Sequence, residues 1–264
     1  MKWKILHTYF REISSEFVNN LFNHCEFPWS PLSHLSQLMD SYFLTTKSHG
    51  LLKANRNILS NQNGSIREGA YYTIQSEILN EDFIDQELKI RIGAGTLLEA
   101  GATIKNHTII ERNCEIRQGA YLRGNTYIGE CSVVGHATEM KNSIFTGHVE
   151  AGHFAYIGDS IVGAYVNLGA GTKISNLEFR TLDAKQRQHF PEIIFSRNGK
   201  SHKTNLSKFG AIIGDGCETG CNSVLCPFVI LEPQCWIMPN IYVLKGIYPK
   251  GSLVTNSRPA LNLA

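Results

Sequence analysis

The feature of this 264-residue chain that most limits its fold is a period of six residues. From Ile92 the sequence reads IGAGTL, LEAGAT, IKNHTI, IERNCE, IRQGAY, LRGNTY, IGECSV and VGHATE. The first position of each unit is aliphatic, and the fifth is small: Thr96, Ala102, Thr108, Cys114, Ala120, Thr126, Ser132 and Thr138. A strand alternates with period two and an amphipathic helix with period 3.6, so neither explains the pattern. Three units instead predict one triangular coil of short strands, and stacked coils predict a mainly β protein, a parallel β-helix.

The repeat is interrupted once. It stops near Asn176 and resumes at Ile213, which predicts an insertion at residues 177–209. Within the insertion, Asn198-Gly199 separates two extended arms, a pattern typical of a type I′ hairpin, and we expect this hairpin to project from the prism. Basic residues outnumber acidic ones in the insertion. The excess fits a solvated loop, or contact with an anionic ligand or a neighbouring subunit.

The sequence on either side of the repeat lacks the six-residue period. Apolar residues at helical spacing within residues 1–65 predict two short helices, which we expect to form a cap over the open end of the β-helix. The transition runs through SIREGAYYTIQSEIL, where imperfect six-residue units begin, and the β-helix is expected to cover residues 66–254. Residues 255–264 are expected to form a C-terminal tail.

Charge and cysteine content exclude several classes of protein. Twenty-five Lys and Arg against 23 Asp and Glu give a formal net charge of +2, so no overall charge indicates a nucleic-acid or membrane partner. The first residues, MKWKILHTYFREISSEF, interrupt every apolar run with charge, which argues against a signal peptide or a transmembrane span and favours the cytoplasm. Seven cysteines without paired C-x-x-C spacing indicate reduced thiols rather than a zinc site. Cys114, Cys217 and Cys235 occupy the small repeat position and are expected in the core.

A column of basic residues runs through the repeat. Residues one coil apart lie above one another, and Lys105, Arg123 and Lys141 follow one another at 18-residue spacing. Like charges stacked on adjacent strands are destabilising unless an anion lies among them. The column therefore indicates a phosphate site, or a basic ladder whose long side chains extend into water.

The segment around the top of this column carries a family resemblance. Its motifs are Glu139-Met140-Lys141, AGHFAYIGD at residues 151–159 and VNLGAGT at residues 166–172. Over roughly residues 115–235 the chain resembles the acetyltransferase half of the bifunctional N-acetylglucosamine-1-phosphate uridyltransferase/glucosamine-1-phosphate acetyltransferase, a hexapeptide-repeat enzyme. The resemblance implies a left-handed parallel β-helix, and a homotrimer with ligand sites between neighbouring prisms.

The resemblance also implies catalytic roles. His153 would be the general base, Glu139 its orienting carboxylate, and Asn176 a neighbour of the thioester. The chemistry is consistent, because an ammonium cannot attack a thioester and histidine titrates near neutrality. A carboxylate on the other ring nitrogen would fix the imidazole tautomer.

Four further residues would bind the acceptor. By the resemblance, Arg123 and Lys141 would hold the sugar phosphate, in agreement with the basic column. Tyr156 and Asn167 would surround the amino sugar. Together they imply an amino-sugar phosphate or a sugar nucleotide as the bound partner.

Two positions would contact acetyl-CoA, the co-substrate that the resemblance implies. The backbone N–H of Ala170 would face the acetyl group, and Cys221 stands where the family has a serine in its closing coils. The chain departs from the family at Leu177, where an aromatic residue is expected, and in its longer insertion. No glycine-rich phosphate loop precedes the repeat, so we expect no nucleotidyl-transfer domain in this sequence.

These features predict an acetyl-CoA-dependent N-acetyltransferase of sugar-nucleotide or cell-envelope precursor synthesis, with no metal. Two alternatives stay open. One is a trimeric scaffold that binds sugar nucleotides without catalysis. The other is a hexapeptide-repeat carbonic anhydrase, with His148 and His153 as metal ligands at H-x4-H spacing. Against it, the positions two coils earlier hold Arg112 and Arg117 instead of a third histidine.

Overall fold

The computed structural model describes residues 8–11, 15–23, 25–52, 55–60, 66–197 and 200–255. Its main body is a prism with three nine-stranded sheets, here called walls 1, 2 and 3. After a first, reversed coil, the chain passes through walls 1, 2 and 3 in turn, and each coil pairs in parallel with the one before it. The predicted parallel β-helix is confirmed.

The strands of the three walls are short. Wall 1 contains β4 (Phe83–Asp85), β5 (Ile90–Ile92), β8 (Thr108–Ile110), β11 (Thr126–Ile128), β14 (Ser143–Phe145), β17 (Ile161–Val162), β22 (Ala211–Ile213), β25 (Val229–Leu231) and β28 (Gly246–Tyr248). Wall 2 contains β3 (Glu77–Ile78), β6 (Leu97–Leu98), β9 (Glu115–Ile116), β12 (Val133–His136), β15 (Glu150–His153), β18 (Asn167–Leu168), β23 (Glu218–Thr219), β26 (Trp236–Ile237) and β29 (Leu253–Val254). Wall 3 contains β1 (Asn55–Ser60), β2 (Ile66–Tyr72), β7 (Thr103–Lys105), β10 (Tyr121–Leu122), β13 (Glu139–Lys141), β16 (Tyr156–Gly158), β19 (Lys173–Ile174), β24 (Val224–Leu225) and β27 (Tyr242–Val243).

Side-chain size at two repeat positions produces the prism. The aliphatic first positions point inward, and Ile92, Leu98 and Ile104 are completely buried. The small fifth positions are buried as well, and their hydroxyls bond from one coil to the next, as between Thr108 Oγ1 and Thr126 Oγ1 at 3.0 Å. These buried hydroxyls are therefore satisfied within the prism, whereas the buried Thr146 Oγ1 has no partner among the described residues.

The cysteines follow the repeat. All seven are free thiols. Cys114, Cys217 and Cys235 are buried in the prism, as predicted. Burial raises the pKa of Cys114 to about 12, so this thiol stays protonated and packs as a small apolar side chain.

The coil at the N-terminal end of the prism runs in the opposite direction. Strands β2, β3 and β4 pair antiparallel with β7, β6 and β5. Strand β1 pairs antiparallel with β2 and extends wall 3 further. Reversed strands therefore cover this end, which explains why the six-residue units before Ile90 are imperfect.

The N-terminal helices lie along wall 1. Helix α1 spans Glu16–Phe22 and α2 spans Pro31–Thr45. Their apolar faces pack on outward-pointing side chains of wall 1, each at most 1% exposed: Ile109, Tyr127, Ile144, Ile161, Ile212 and Ile230. The prediction that the helices cap the open end is wrong, because the apolar surface that requires burial is on this wall.

The insertion after β19 contains a third helix and a hairpin. Helix α3 spans Leu182–Gln186, and the antiparallel strands β20 and β21 span Ile194–Arg197 and Lys200–Lys203. The predicted hairpin is thus present, although Asn198-Gly199 lies outside the described residues. Thr181 is the N-cap of α3, and its side chain accepts a hydrogen bond from the Ala184 N–H.

Trp29 joins this hairpin to the rest of the protein. Its ring contacts Phe195 of β20 with 5.6 Å between centroids, and its Nε1–H donates to Thr204 O at 3.1 Å. The same ring contacts Phe209 and Phe228, which follow the hairpin. The hairpin therefore packs against the apolar cluster on wall 1 through Ile193 and Phe195.

In the part of the chain that the structure describes, walls 2 and 3 have outward-pointing side chains that are exposed to solvent, such as Trp236 and Tyr242. The residues that the resemblance assigns lie on these two walls or at their edges. Among the described residues, no helix is long and apolar enough to cross a membrane.

Candidate functional site

The edge between walls 2 and 3 carries three of the predicted residues. His153 ends β15 with an exposed side chain and lies directly above His136 in register. The next coil brings Ala170 above it, where the Gly171 N–H donates to His153 O at 2.9 Å. One coil further, the Asn222 N–H donates to Ala170 O, and the exposed Cys221 precedes it. We call His153, Ala170 and Cys221 the ridge.

The ridge offers a base and a donor. The imidazole of His153 is exposed, and its closest ring contact is Phe154 at 6.3 Å between centroids. The Ala170 N–H has no acceptor among the described residues. An exposed imidazole one coil below a free N–H is a suitable arrangement for a base and an oxyanion donor.

Glu139 has a different partner from the predicted one. It lies on wall 3, directly opposite Tyr156 of β16, and accepts a hydrogen bond from Arg123 Nη1 at 2.7 Å. This hydrogen bond raises the pKa of Arg123. A hydrogen bond between Glu139 and His153 is not formed among the described residues. In this structure the carboxylate therefore neutralises a cation and does not orient the base.

A buried carboxylate organises the opposite edge, between walls 3 and 1. Asp159 is 4% exposed and turns this corner with φ +49°. Its Oδ2 accepts from Lys141 Nζ at 3.1 Å and from Asn176 Nδ2 at 2.5 Å. Its Oδ1 accepts from Asn142 Nδ2 at 2.8 Å. We call Lys141, Asn142, Asp159 and Asn176 the hub.

The basic column is present on wall 3. Lys105, Arg123 and Lys141 follow one another in register at the same edge. Two of the three pair with carboxylates, Arg123 with Glu139 and Lys141 with Asp159. Repulsion within the column is therefore balanced by the protein itself, and the predicted need for a bound anion does not follow from stacking alone.

A small polar cavity nevertheless lies between the two upper cations. Its volume is about 130 Å³. Its lining consists of two cations, three side-chain amides and a glycine: Arg123, Lys141, Asn106, Asn125, Asn142 and Gly124. Arg and Lys side chains with amide donors form a chemically suitable surface for a phosphate group.

Tyr156 lies between the ridge and the hub. It is half-buried, and burial raises its pKa. Its hydroxyl and Asn176 pack over Gly158, where a Cβ would lie 2.8 Å from Tyr156 Oη and 2.8 Å from Asn176 Nδ2. A glycine at this position therefore allows the two polar groups to meet above the strand.

Asn176 and Asn167 lie in different parts of the prism, and Asn176 lies away from the ridge. Asn176 belongs to the hub, one width of wall 3 from the ridge, which is about 10 Å for the three residues of β16. Asn167 is exposed on wall 2, in register with Glu150 below and Glu218 above. Within one chain, Asn176 thus lies with the cations and not beside the ridge, where the thioester was expected.

Two residues of the site were not assigned from the sequence. Asp159 follows Gly158, the residue in register with Lys141, because a five-residue unit shortens this coil from 18 to 17 residues. Lys173 lies one coil above Tyr156, and its Nζ donates to Phe154 O at 2.5 Å beside the ridge. The period contains no signal for that contact, because it depends on how a long side chain folds back.

The described histidines do not form a metal site within one chain. Across the described ranges, no group of three or more His, Cys, Asp or Glu side chains is arranged to hold a metal ion. His148 stacks on Tyr165 with 4.7 Å between centroids, whereas His153 lies at the other end of β15. One chain therefore does not join the two predicted ligands of a carbonic anhydrase.

The amino-acid sequence is similar to those of bifunctional enzymes with an acetyltransferase function. The chain is 30% identical over 168 residues to the bifunctional sugar-1-phosphate nucleotidylyltransferase/acetyltransferase of Sulfurisphaera tokodaii, which covers 57% of this chain and 40% of the relative. It is 34% identical over 177 residues to the bifunctional protein GlmU of Methanococcus aeolicus, which covers 62% of this chain and 40% of the relative.

The predicted resemblance is confirmed. The first relative, by its name, joins a nucleotidylyltransferase to an acetyltransferase. This chain spans about two fifths of the length of each of the two relatives.

Two other comparisons add little. Among solved structures, the polysialic acid O-acetyltransferase OatWY matches with a TM-score of 0.24 and 11% identity, over 66% of this chain and 90% of that one. This likeness is too weak to support an argument. No family model matches the chain.

Proposed function

We propose that this protein is an acetyltransferase that transfers the acetyl group of acetyl-CoA to the amine of an amino-sugar phosphate. The observation that carries the proposal is the exposed imidazole of His153 at one edge of wall 3, with the cations Arg123 and Lys141 at the opposite edge of that wall. The resemblance to bifunctional nucleotidylyltransferase/acetyltransferases supports the acetyl donor and the sugar phosphate.

In the proposed reaction, His153 accepts a proton from the substrate amine. The amine nitrogen then forms a bond to the acetyl carbon, the carbon–sulfur bond breaks, and the thiolate leaves and is protonated. The Ala170 N–H donates to the oxyanion that develops on the acetyl oxygen. The general base contributes roughly 10²- to 10⁴-fold, and fixing the phosphate supplies positioning.

Glu139 has two roles in this proposal. A substrate phosphate at Arg123 competes for the guanidinium that Glu139 now holds at 2.7 Å. Release of Glu139 makes its carboxylate available to the imidazole of His153, across the corner from Tyr156. The orienting role implied by the resemblance would thus begin only when the acceptor is bound.

The test measures thiol release from acetyl-CoA with glucosamine-1-phosphate. His153→Ala is expected to lower kcat by about 100-fold or more, because the base is lost. His136→Ala is the matched control, since this exposed histidine lies one coil below on the same edge, and it should keep normal turnover. Near-normal turnover by His153→Ala would contradict the base assignment.

A non-catalytic scaffold that binds sugar nucleotides is the second candidate. The observation in its favour is the pairing of Glu139 with Arg123, which leaves His153 without an orienting carboxylate. Binding of a sugar nucleotide by calorimetry, with no thiol release by the wild-type protein, would favour the scaffold.

We further propose a homotrimer in the cytoplasm. Exposed apolar side chains on walls 2 and 3 support assembly through these faces, and they include Trp236 at 59% and Tyr242 at 67% exposure. The seven free thiols fit a reducing compartment. A neighbouring prism would then complete the site beside the ridge.

A further inference from the structure

The insertion carries a pair of cations on one aromatic ring. The Arg180 guanidinium carbon lies 4.2 Å from the centroid of Phe190, and Lys208 Nζ lies 5.0 Å from the same centroid. Arg180 and Phe190 are half-buried, and Lys208 is exposed. The chain therefore holds two positive charges close together on a partly buried apolar surface.

The carboxylates of the insertion are engaged elsewhere. Each has its own partner: Glu178 with Lys245 Nζ at 2.5 Å, Asp183 with Arg187 Nε at 2.8 Å, and Glu192 with the Asn205 N–H at 2.6 Å. Arg180 donates to His189 O at 3.4 Å, a neutral acceptor at long range. Among the described residues, no carboxylate forms an ion pair with Arg180 or Lys208.

The base of the insertion lies on the hub. The Phe209 N–H donates to Asn176 O at 2.9 Å, and the Gly210 N–H donates to Asp159 O at 2.9 Å. Lys208 is therefore next to the residues that hold Lys141.

Two like charges on one ring repel each other, and the cation–π attraction at a partly exposed site is weak. An anion between them would remove the repulsion, and Arg with Lys is a combination suited to phosphate. The backbone of this edge rises by two coils from Lys141 to Asn176, about 10 Å at the usual strand spacing, and Arg180 follows four residues after Asn176.

We propose that Arg180 and Lys208 bind a second phosphate group, carried by a substrate of the proposed reaction. The identity of the ligand rests on the proposed function. The location of the site rests only on the contacts within the insertion. The phosphate has two possible sources: the nucleotide portion of coenzyme A, or a nucleoside diphosphate attached to the acceptor sugar. Both present the same chemistry to the cations.

The experiment is calorimetric binding by the full chain, without turnover. The ligands are coenzyme A, its 3′-dephospho form, phosphate-free pantetheine, UDP and uridine. Arg180→Gln and Lys208→Gln are each expected to weaken binding of one phosphorylated ligand by about five- to tenfold, and to leave the phosphate-free ligand unchanged. Weakening with coenzyme A assigns the co-substrate, and weakening with UDP assigns the acceptor.

Arg187→Gln is the matched control. It removes the same charge from the same insertion, at a residue already paired with Asp183, and should leave every affinity unchanged. The proposal is overturned if Arg187→Gln weakens binding as much as the other two variants, if neither variant changes any affinity, or if the wild-type protein binds none of the phosphorylated ligands. The experiment measures binding and not turnover. Its result can therefore be interpreted even if the protein transfers no acetyl group.

Discussion

The carboxylate of Asp159 determines where two of the predicted site residues sit. It holds Lys141 Nζ at 3.1 Å and Asn176 Nδ2 at 2.5 Å, and it is 4% exposed. A buried carboxylate with three charged or amide donors is fully satisfied, so it fixes those donors in place. We therefore assign Asp159 a positioning role in the proposed acceptor site.

Asp159→Asn is expected to raise the KM for the amino-sugar phosphate by about tenfold and to change kcat much less, since the amide no longer holds the Lys141 ammonium in place through a charge-assisted hydrogen bond. The unfolding free energy should fall by roughly 1–3 kcal/mol. Steady-state kinetics and thermal unfolding measure the two effects. Asp183→Asn, on the exposed face of α3, is the control and should change neither. An equal loss of kcat and kcat/KM would argue against a positioning role.

Among the secondary-structure elements, helix α2 forms a polar contact with the prism through Asp40. Asp40 Oδ1 contacts Lys89 Nζ at 2.5 Å and His107 Nε2 at 2.9 Å, and these two residues lie before β5 and before β8. The hydrogen bond from Lys89, followed by that from His107, lowers the pKa of Asp40. The contact therefore stabilises the packing of α2 on wall 1 while the carboxylate is ionised.

The Asp40 contact predicts a pH-dependent difference between wild type and Asp40→Asn. Because its folded pKa is below the unfolded value, its contribution is complete above the ordinary carboxyl range and is lost as pH falls through the folded pKa. The Asp40 side chain is 44% exposed, so screening limits the difference at pH 7 to about 1 kcal/mol or less. Urea unfolding between pH 7 and pH 3 measures it. A difference that grows toward pH 3 would contradict this assignment.

At the scale of the whole molecule, the three walls are not equivalent. Wall 1 is covered by α1, α2 and the insertion, whereas walls 2 and 3 expose apolar side chains toward the C-terminal end. Several lie in register on successive coils, such as Trp236 beside Leu253 and Val224 beside Tyr242. Contiguous exposed apolar rows of this kind are typical of protein interfaces.

This asymmetry predicts how assembly responds to substitution. Trp236→Glu, on wall 2, is expected to shift the proposed trimer toward monomer by placing a charge in the interface. Leu44→Glu is the control, because Leu44 is 80% exposed on α2, over wall 1. Sedimentation velocity measures the distribution. If wild-type protein sediments as a monomer, or if both variants dissociate equally, the assignment of this interface is wrong.

The coil can be predicted from the amino-acid sequence alone, because the six-residue period places an aliphatic side chain inward and a small one beside it at every step. The period therefore also predicts which residues stack, including Lys105, Arg123 and Lys141 at one edge and His136 below His153 at another. Stacking follows from the period alone, since each strand hydrogen-bonds to the residues one coil away.

Where a side chain has more than one possible partner within reach, the packing of the whole chain selects the partner, and the period does not predict it. Glu139 bonds to Arg123 and not to His153, and Asp159 holds Asn176 away from the ridge. The packing of the whole chain also places the helices and the hairpin over wall 1, where Ile109, Tyr127 and Ile144 point outward. The physical reason is that ion pairing and apolar burial compete over the whole molecule, whereas a repeat constrains only neighbouring coils.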